Sequence, residues 1–347
     1  RLLTTDSEEF YDADSVHTQL RTKAAAVQTP PPLPSAYAPQ PPLARSLRYA
    51  FHADAVAARV GAACQPQRIV YDDETAIWCD RIAASPLGPA HDIAVRALVA
   101  LGYSRIDAQA LLGEPSCHLL STAQWRCFLR DLVPSGRPRA LDVGAAVGHV
   151  TASLAPLFAS TSAVEISPVL VDTLRGRSIP AAMTAGGRIS RAHLSDAGLW
   201  PADDRGFDAV FAINVVDRVE GAADFVRGLL DATAPGGVLV VAMPLPYHAR
   251  QWVDDAADDF AWARRHGLAI QGGTWEAAAA SAVECLQRET GLPVARFARA
   301  PYVCRGWTQT PWGGADQEPL YVLDGGIFVI RKPGAGASPE PDKVQGR

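Results

Sequence analysis

From Arg139 onward the chain alternates short apolar segments with amphipathic ones, and this pattern constrains its fold more than any other feature. The apolar segments have the length of strands and read ALDVG, TSAVEI, FDAVFAIN and GGVLVVAMP. Helical patterns near 148–158, 167–176 and 221–233 separate them. Regular alternation of strand and helix predicts a parallel, doubly wound α/β sheet.

The end of this region breaks the alternation. A helix is predicted near 275–290, and two strands follow it, PVARFARAPYV and LYVLDGGIFVIRK, with no helix between them. Successive strands that lack a crossover helix pair in the antiparallel sense. The sequence therefore predicts an antiparallel edge on a mostly parallel sheet.

Proline content and apolar spacing divide the rest of the chain. The run QTPPPLPSAYAPQPPL cannot form a helix or a central strand, so residues 1–45 are predicted to be disordered or a Pro-rich linker. Residues 46–136 carry apolar side chains at helical spacing and are predicted to form a helical extension. We expect the α/β domain over residues 137–332 and a disordered Gly- and Pro-rich tail over residues 333–347.

Composition narrows the class of protein. The chain has 347 residues, of which 48% are hydrophobic, and a formal net charge of −5, which argues against a broad nucleic-acid-binding surface. The sequence contains no run of about 18 apolar residues, so we predict no membrane span.

The six cysteines have neither C-x-x-C nor zinc-finger spacing. This spacing predicts reduced thiols and no metal site, and therefore an intracellular, by default cytoplasmic, protein. A targeting signal upstream of Arg1 stays open.

The segment ALDVGAAVGHV is the first that indicates a ligand. It places Asp142 at the end of a strand and Gly144 and Gly148 in the turn that follows, where glycine permits a tight turn and close approach of a ligand. Glu165 ends the next strand, where a carboxylate can accept two hydrogen bonds from a ribose diol. This arrangement suits NAD and S-adenosylmethionine alike, but the third glycine of a dinucleotide fingerprint is absent.

The order of the later segments resembles class I S-adenosylmethionine-dependent methyltransferases. Within that class, NVVDR (214–218), PYVC (301–304) and YVLD (321–324) resemble N-L-L-D-R, P-Y-L-C and Y-V-L-D of the DREV family, over roughly residues 70–332. The resemblance implies a Rossmann-like class I fold with a seven-stranded, mostly parallel sheet. It also implies an enzyme that transfers a methyl group from S-adenosylmethionine to the pros nitrogen (Nδ1) of histidine in protein motifs of the type His-x-His.

The resemblance assigns roles to individual residues. It places Asp142, Gly144, Gly148, Glu165, Asn214 and Tyr302 at the cofactor and Asp217 opposite the substrate imidazole as the catalytic carboxylate. Tyr247 and His248 follow a strand at the same edge and are candidates to line the substrate groove, with core packing and a surface loop as alternatives. One departure concerns the glycine loop: the family reads D-L-G-A-G-D-G, whereas this chain reads DVGAAVG.

Two other functions stay open on this sequence. The chain is alternatively a class I methyltransferase for a small molecule or another residue type, or an inactive family member that serves as a binding module, since its glycine loop is altered. Under the leading interpretation its partner is a histidine-containing protein or peptide, and we expect a monomer.

Overall fold

The computed structural model describes most of the region that the alternating pattern covers and part of the extension before it. The described residues are 53–60, 66–69, 89–103, 108, 111, 120–134, 136, 138–165, 167–176, 189–194, 206–219, 221–245, 268–300, 302–305, 320–323 and 325–335. All of them belong to one unit of the chain, Leu43–Arg347. The predicted linker at 1–45 and most of the predicted tail lie outside the described residues.

A central sheet organises the described residues. Its eight strands are β1 (Pro66–Arg68), β2 (Arg139–Val143), β3 (Ser160–Glu165), β4 (Ile189–Leu194), β5 (Phe207–Ile213), β6 (Thr233–Pro244), β7 (Val294–Arg299) and β10 (Gly325–Arg331), in the spatial order β1-β7-β10-β6-β5-β2-β3-β4. Two further strands, β8 (Tyr302–Arg305) and β9 (Leu320–Leu323), form a separate antiparallel pair. Seven strands of the main sheet run in one direction, and β10 runs against them.

Helices cover both faces of the sheet. They are α1 (Ala53–Val60), α2 (Pro89–Ala100), α3 (Thr122–Phe128), α4 (His149–Leu154), α5 (Pro168–Gly176), α6 (Ala222–Ala232) and α7 (Trp275–Thr290), with 3₁₀ turns at Ala155–Leu157 and Val216–Arg218. One apolar cluster joins α1, α6 and α7 to one face of the sheet, and a second joins α3 and α4 to the other. No helix within the described ranges is long and apolar enough to cross a membrane.

The central strands are predominantly apolar because both of their faces are buried. Side chains alternate across a strand, so Val210 of β5 enters the cluster under α6 and α7 while Phe211 enters the cluster under α3 and α4. There the Phe211 ring makes edge contacts with the rings of Trp125, at 5.6 Å between centroids, and Phe158, at 5.8 Å. This two-sided burial fixes the sheet as the middle of three layers.

The predicted α/β class and doubly wound arrangement are confirmed, and so is each of the four leading strand predictions. The antiparallel strand, however, is not at an edge: β10 lies between β6 and β7, because its segment GGIFVIR is buried up to Ile330 and pairs on both sides. The predicted seven strands become eight among the described residues. The six strand segments predicted from the sequence include neither β1 nor β4, and the polar sequence of β4, ISRAHL, gave no strand signal.

The eighth strand comes from the region predicted to be wholly helical. Residues Pro66–Arg68 form β1, which pairs in parallel with β7 and occupies the edge of the sheet. A three-residue strand that contains proline has no periodicity to detect, and its partner lies more than 200 residues away along the chain. Helix α1 of the same region packs its Val56 into the cluster beneath α7, so the extension is part of the sheet's own packing.

Candidate active site

The site lies where the order of the sheet reverses. From β2 the chain proceeds outward through β3 and β4, and then returns to place β5 and β6 on the other side of β2. In open α/β sheets, ligands bind in the crevice at the carboxyl ends of the two strands that flank such a switch point. Here these strands are β2, which ends at Val143, and β5, which ends at Ile213.

The loop after β2 needs glycine at its first position for two independent reasons. Gly144 has a φ of +71°, in the left-handed region that L side chains rarely adopt. A Cβ built on Gly144 would also lie 2.7 Å from Cγ2 of Val215, which follows β5. The two loops that border the switch point are therefore in direct contact, and a side chain at Gly144 would force them apart.

Later in the same loop, a left-handed alanine is held by the carboxylate of Glu165. Ala146 has a φ of +48°, which costs a non-glycine residue about 1 kcal/mol or more. Its backbone N–H donates to Oε2 of Glu165 at 2.9 Å, and the N–H of Ser167 donates to Oε1 at 3.1 Å. Glu165 is only 7% exposed, so it is fixed at the end of β3 with both oxygens oriented by backbone donors.

The loop closes on α4. Gly148 has a φ of +87° and precedes the first residue of that helix, and its N–H donates to the carbonyl of Ala145 at 2.7 Å. The loop thus turns back on itself before the helix begins, in keeping with the predicted strand–turn–helix.

Asp142 is buried beneath this loop. Its side chain is 1% exposed, and its Oδ2 accepts a hydrogen bond from Oγ1 of Thr151 at 2.6 Å. Burial raises the pKa of Asp142 to about 7, the Thr151 hydrogen bond opposes this rise, and the nearby negative charge of Glu165 adds to it. The sequence analysis did not single out Thr151; a hydroxyl in the first helical turn after a buried strand-end carboxylate was the available signal.

Asn214 combines backbone strain with a buried amide. It has a φ of +54°, a conformation in which Asn is tolerated better than most residues, and its N–H continues the sheet by donating to the carbonyl of Ala242 at 2.9 Å. The side chain is 8% exposed, and neither Oδ1 nor Nδ2 has a hydrogen-bond partner among the described residues. A buried polar group without a partner is costly, so the amide is suited to a ligand that enters the crevice.

Four other predicted site residues are less fully defined. Asp217 is half-buried in the 3₁₀ turn Val216–Arg218, three residues after Asn214. Tyr302 is the first residue of β8, three residues after Arg299, the last residue of β7. Tyr247 and His248 lie outside the described residues, so their predicted place in a substrate groove stays a prediction.

The structure thus brings five of the predicted residues to the switch point. Asp142, Gly144 and Gly148 come from the β2 side, Glu165 ends the neighbouring strand, and Asn214 follows β5. Sequence patterns did not indicate Ala146, whose N–H donates to Glu165, or Val215, which contacts Gly144 across the switch point. Their contribution depends on tertiary contact and left-handed backbone, neither of which a residue type alone reveals.

Two curated methyltransferases are similar to part of this chain. Residues of the chain are 29% identical over 137 positions to the trans-aconitate 2-methyltransferase of Streptomyces coelicolor, covering 38% of this chain and 44% of that protein. They are 34% identical over 115 positions to the protein of the same name from Methylobacterium radiotolerans, covering 32% and 40%. The chain therefore spans less than half the length of these relatives.

Solved structures show more distant likenesses. A candidate methyltransferase of Bacillus halodurans is 15% identical, with a TM-score of 0.42 and coverage of 61% of this chain and 99% of that one. The methyltransferase CalH in complex with SAH is 18% identical, with a TM-score of 0.36 and coverage of 56% and 51%. Because both TM-scores are below 0.5, the fold assignment rests on the strand order and on the family match that follows.

The strand order, with antiparallel β10 beside β6 and a switch point between β2 and β5, is that of the Rossmann-like class I methyltransferase fold. The particular family follows from the sequence profile of the DREV methyltransferases, which matches residues 67–332. The chain belongs to the DREV methyltransferase family.

Proposed function

We propose that this chain transfers a methyl group from S-adenosylmethionine to Nδ1 of a histidine side chain in a protein or peptide. The observation that carries the proposal is the pairing of Asn214 with Asp217 directly after β5: a buried amide without a partner among the described residues, followed within three residues by a carboxylate. These residues occupy the positions of the family motif N-L-L-D-R, within a family match that extends over residues 67–332.

The donor set suits an adenosylated cofactor. Glu165 presents a carboxylate oriented by two backbone donors at the end of β3, and a carboxylate can accept hydrogen bonds from both hydroxyls of a ribose diol. The Asn214 amide offers both a donor and an acceptor, and Gly144 offers backbone without a side chain. Tyr302 is assigned to the cofactor through its match to the family's P-Y-L-C. When bound, S-adenosylmethionine supplies an electrophilic methyl group on a positively charged sulfur.

In this proposal the residues of the chain align the substrate imidazole and select one of its two tautomers. Neutral imidazole has one bare nitrogen and one N–H, and only the bare nitrogen carries the lone pair that forms the new N–C bond. If Asp217 accepts the Nε2–H, it holds the tautomer in which Nδ1 is bare. As Nδ1 becomes methylated the ring becomes positively charged, and the same carboxylate stabilises that charge. The Nε2 proton then leaves to solvent, which restores a neutral ring.

The proposal is tested by transfer of a labelled methyl group. We expect incorporation into His-x-His peptides and, by mass spectrometry, a methyl group on Nδ1. Peptides with the accepting His replaced by Lys or Arg serve as controls and are expected to stay unlabelled. Equal labelling of a lysine-only peptide would contradict the proposal.

A small-molecule acceptor is the second candidate, because both curated relatives named above are trans-aconitate 2-methyltransferases. Their similarity covers less than two-fifths of this chain, whereas the DREV profile also covers the later motifs. Trans-aconitate is therefore included as an acceptor in the same assay. Its labelling in place of the histidine peptides would favour this second function, and cofactor binding without transfer to either acceptor would favour a binding module.

A further inference from the structure

Arg299 is a buried charged residue at the ligand edge of the sheet that the proposed chemistry does not use. It is the last residue of β7 and is 8% exposed. Strand β7 runs antiparallel to β10, which itself runs antiparallel to β6, so β7 has the direction of the parallel strands. Its carboxyl end therefore lies at the same edge as the ends of β2 and β5.

Helix α7 holds the guanidinium at this edge. The guanidinium carbon lies 4.8 Å from the ring centroid of Trp275, and Nη1 donates to Oε1 of Glu276 at 3.4 Å. The Arg299 and Glu276 side chains are 10% and 22% exposed, so the pair is largely shielded from water. Arginine suits this place because its planar group stacks on an aromatic ring and donates within the same plane, which lysine does not do.

The backbone carbonyl of Gly325 links three elements near Arg299. The oxygen of Gly325, at the start of β10, accepts from Nε1 of Trp275 at 3.2 Å and from the N–H of Ala300 at 2.9 Å. The first turn of α7, the start of β10 and the residue after Arg299 are thereby joined at one point. Strand β8 begins two residues later, at Tyr302.

We propose that Arg299 is a positioning residue that fixes the connection from β7 to β8 and, through it, the placement of Tyr302 at the cofactor. The inference rests on the proposed function, which assigns Tyr302 to the cofactor. A purely structural role would not require a charge here, since well-packed apolar residues replace a buried ion pair at little or no cost in stability.

Strand β7 supplies its own matched control. Arg296 lies three residues earlier, on the opposite face of the strand, and its Nη1 donates to the carbonyls of Phe128 and Arg130 at the end of α3. Replacing either arginine by lysine keeps the positive charge and removes the planar group. A general effect of altering β7 would therefore appear in both Arg296→Lys and Arg299→Lys, whereas positioning of Tyr302 would be lost only in Arg299→Lys.

The experiment combines two measurements on the full chain. Hydrogen exchange followed by mass spectrometry reports on Ala300 and Tyr302–Arg305 without any ligand, and calorimetric titration reports the Kd for S-adenosylhomocysteine. In Arg299→Lys we expect faster exchange in this stretch and a rise of roughly tenfold in that Kd, within the range produced by displaced supporting residues. Arg296→Lys is expected to leave both unchanged. Glu276→Gln keeps the stack on Trp275 and weakens only the ion pair, so a smaller change of the same kind is expected.

Several outcomes would overturn the inference. These are unchanged exchange in both Arg299→Lys and Glu276→Gln, equal effects of Arg296→Lys, and faster exchange with an unchanged Kd. If Arg299→Lys does not fold, Glu276→Gln decides the question. A wild-type chain that binds no S-adenosylhomocysteine would contradict the proposed function, and the exchange comparison would still decide whether Arg299 holds the connection.

Discussion

At the scale of single residues, Glu165 has two roles: it is the proposed acceptor for the ribose, and it accepts the N–H of Ala146. A mutation of Glu165 would therefore affect both. Removing the side chain would eliminate the proposed ribose acceptor and would also release the N–H of Ala146, which is held in a left-handed conformation. Glu165→Gln is the better variant because it keeps nearly the same size and one acceptor oxygen, so one of the two backbone donors, Ala146 or Ser167, keeps its hydrogen bond.

We expect Glu165→Gln to weaken S-adenosylhomocysteine binding by about 1.5–3 kcal/mol, the worth of a hydrogen bond to a charged group. The measurement is calorimetric titration, with Glu284→Gln, which alters a surface ion pair with Arg59, as the control. An unchanged affinity in Glu165→Gln would remove Glu165 from the cofactor site.

The raised pKa of Asp142 predicts that the free energy of unfolding depends on pH. Its pKa is about 7 in the folded chain and about 3.9 in an unfolded one. Between these values the folded state binds more protons than the unfolded state, so the free energy of unfolding falls as the pH rises from about 4 to about 7. Above that window the buried carboxylate is ionised in both states and its full cost is present.

Asp142→Asn should remove this component, because the amide is neutral at every pH and its oxygen can still accept from Thr151. As the pH rises from about 4 to about 7, we expect the free energy of unfolding of the variant to increase relative to that of the wild type. Chemical denaturation at a series of pH values measures it, and a difference that does not change with pH would contradict the assignment.

Under the proposed function, we expect Asp217 to affect turnover and not the fold. In Asp217→Asn we expect single-turnover methylation of a His-x-His peptide to fall by about 10²–10⁴-fold, the usual effect of losing a positioned acid or base. Cofactor affinity should persist. Wild-type activity should rise through the substrate imidazole pKa, near 6.5, since imidazolium has no lone pair. Asp172→Asn, on the exposed side of α5, is the control, and near-normal turnover in Asp217→Asn would exclude the carboxylate's role.

At the scale of elements, contact between the β2 and β5 loops decides whether the crevice forms. Gly144 touches Val215, and Val215 is the neighbour of Asn214, so a shift in one loop reaches the proposed cofactor residues of the other. Sequence patterns locate both loops but do not indicate that they touch.

Gly144→Ala should therefore cost both stability and cofactor affinity. The left-handed φ alone costs about 1–2 kcal/mol, and the clash with Val215 adds to it. Gly291→Ala provides the control: its φ is +66°, and a Cβ there would meet nothing within 4 Å. We expect both variants to lower the melting temperature but only Gly144→Ala to weaken S-adenosylhomocysteine binding. Equal binding in the two variants would show that the loop contact is unimportant to the site.

At the scale of the whole molecule, the N-terminal extension and the methyltransferase sheet are expected to unfold together. Val56 of α1 is fully buried in the cluster that contains α6 and α7, and β1 extends the sheet beside β7. Truncating a core side chain removes stabilising contacts from every element that it touches.

We expect Val56→Ala to destabilise the chain by about 2 kcal/mol, close to the worth of burying a valine, in a single cooperative transition. Arg59→Ala on the same helix removes an ion pair with Glu284 whose side chains are 48% and 45% exposed, and such pairs contribute about 0–1 kcal/mol. Thermal melts followed in the far- and near-ultraviolet measure both variants. Separate transitions for the two signals in Val56→Ala would show that the extension is an independent unit.

The fold class, the main parallel strands and the residues at the switch point could all be predicted from the order of amino acids. These follow from local signals, since two-sided burial makes strands continuously apolar and a turn at a ligand needs glycine. The family motif N-L-L-D-R located Asn214 and Asp217 in the same way, because a motif is a short run of consecutive residues.

Which elements are neighbours became known from the folded structure. It placed β10 inside the sheet and β1 at its edge, brought Val215 against Gly144, and buried Asp142 deeply enough to raise its pKa to about 7. Each of these depends on contacts between residues distant along the chain, and a periodic pattern reports how a segment is buried but not what buries it. That is the physical reason why the sequence located the site while the packing set its geometry and charge.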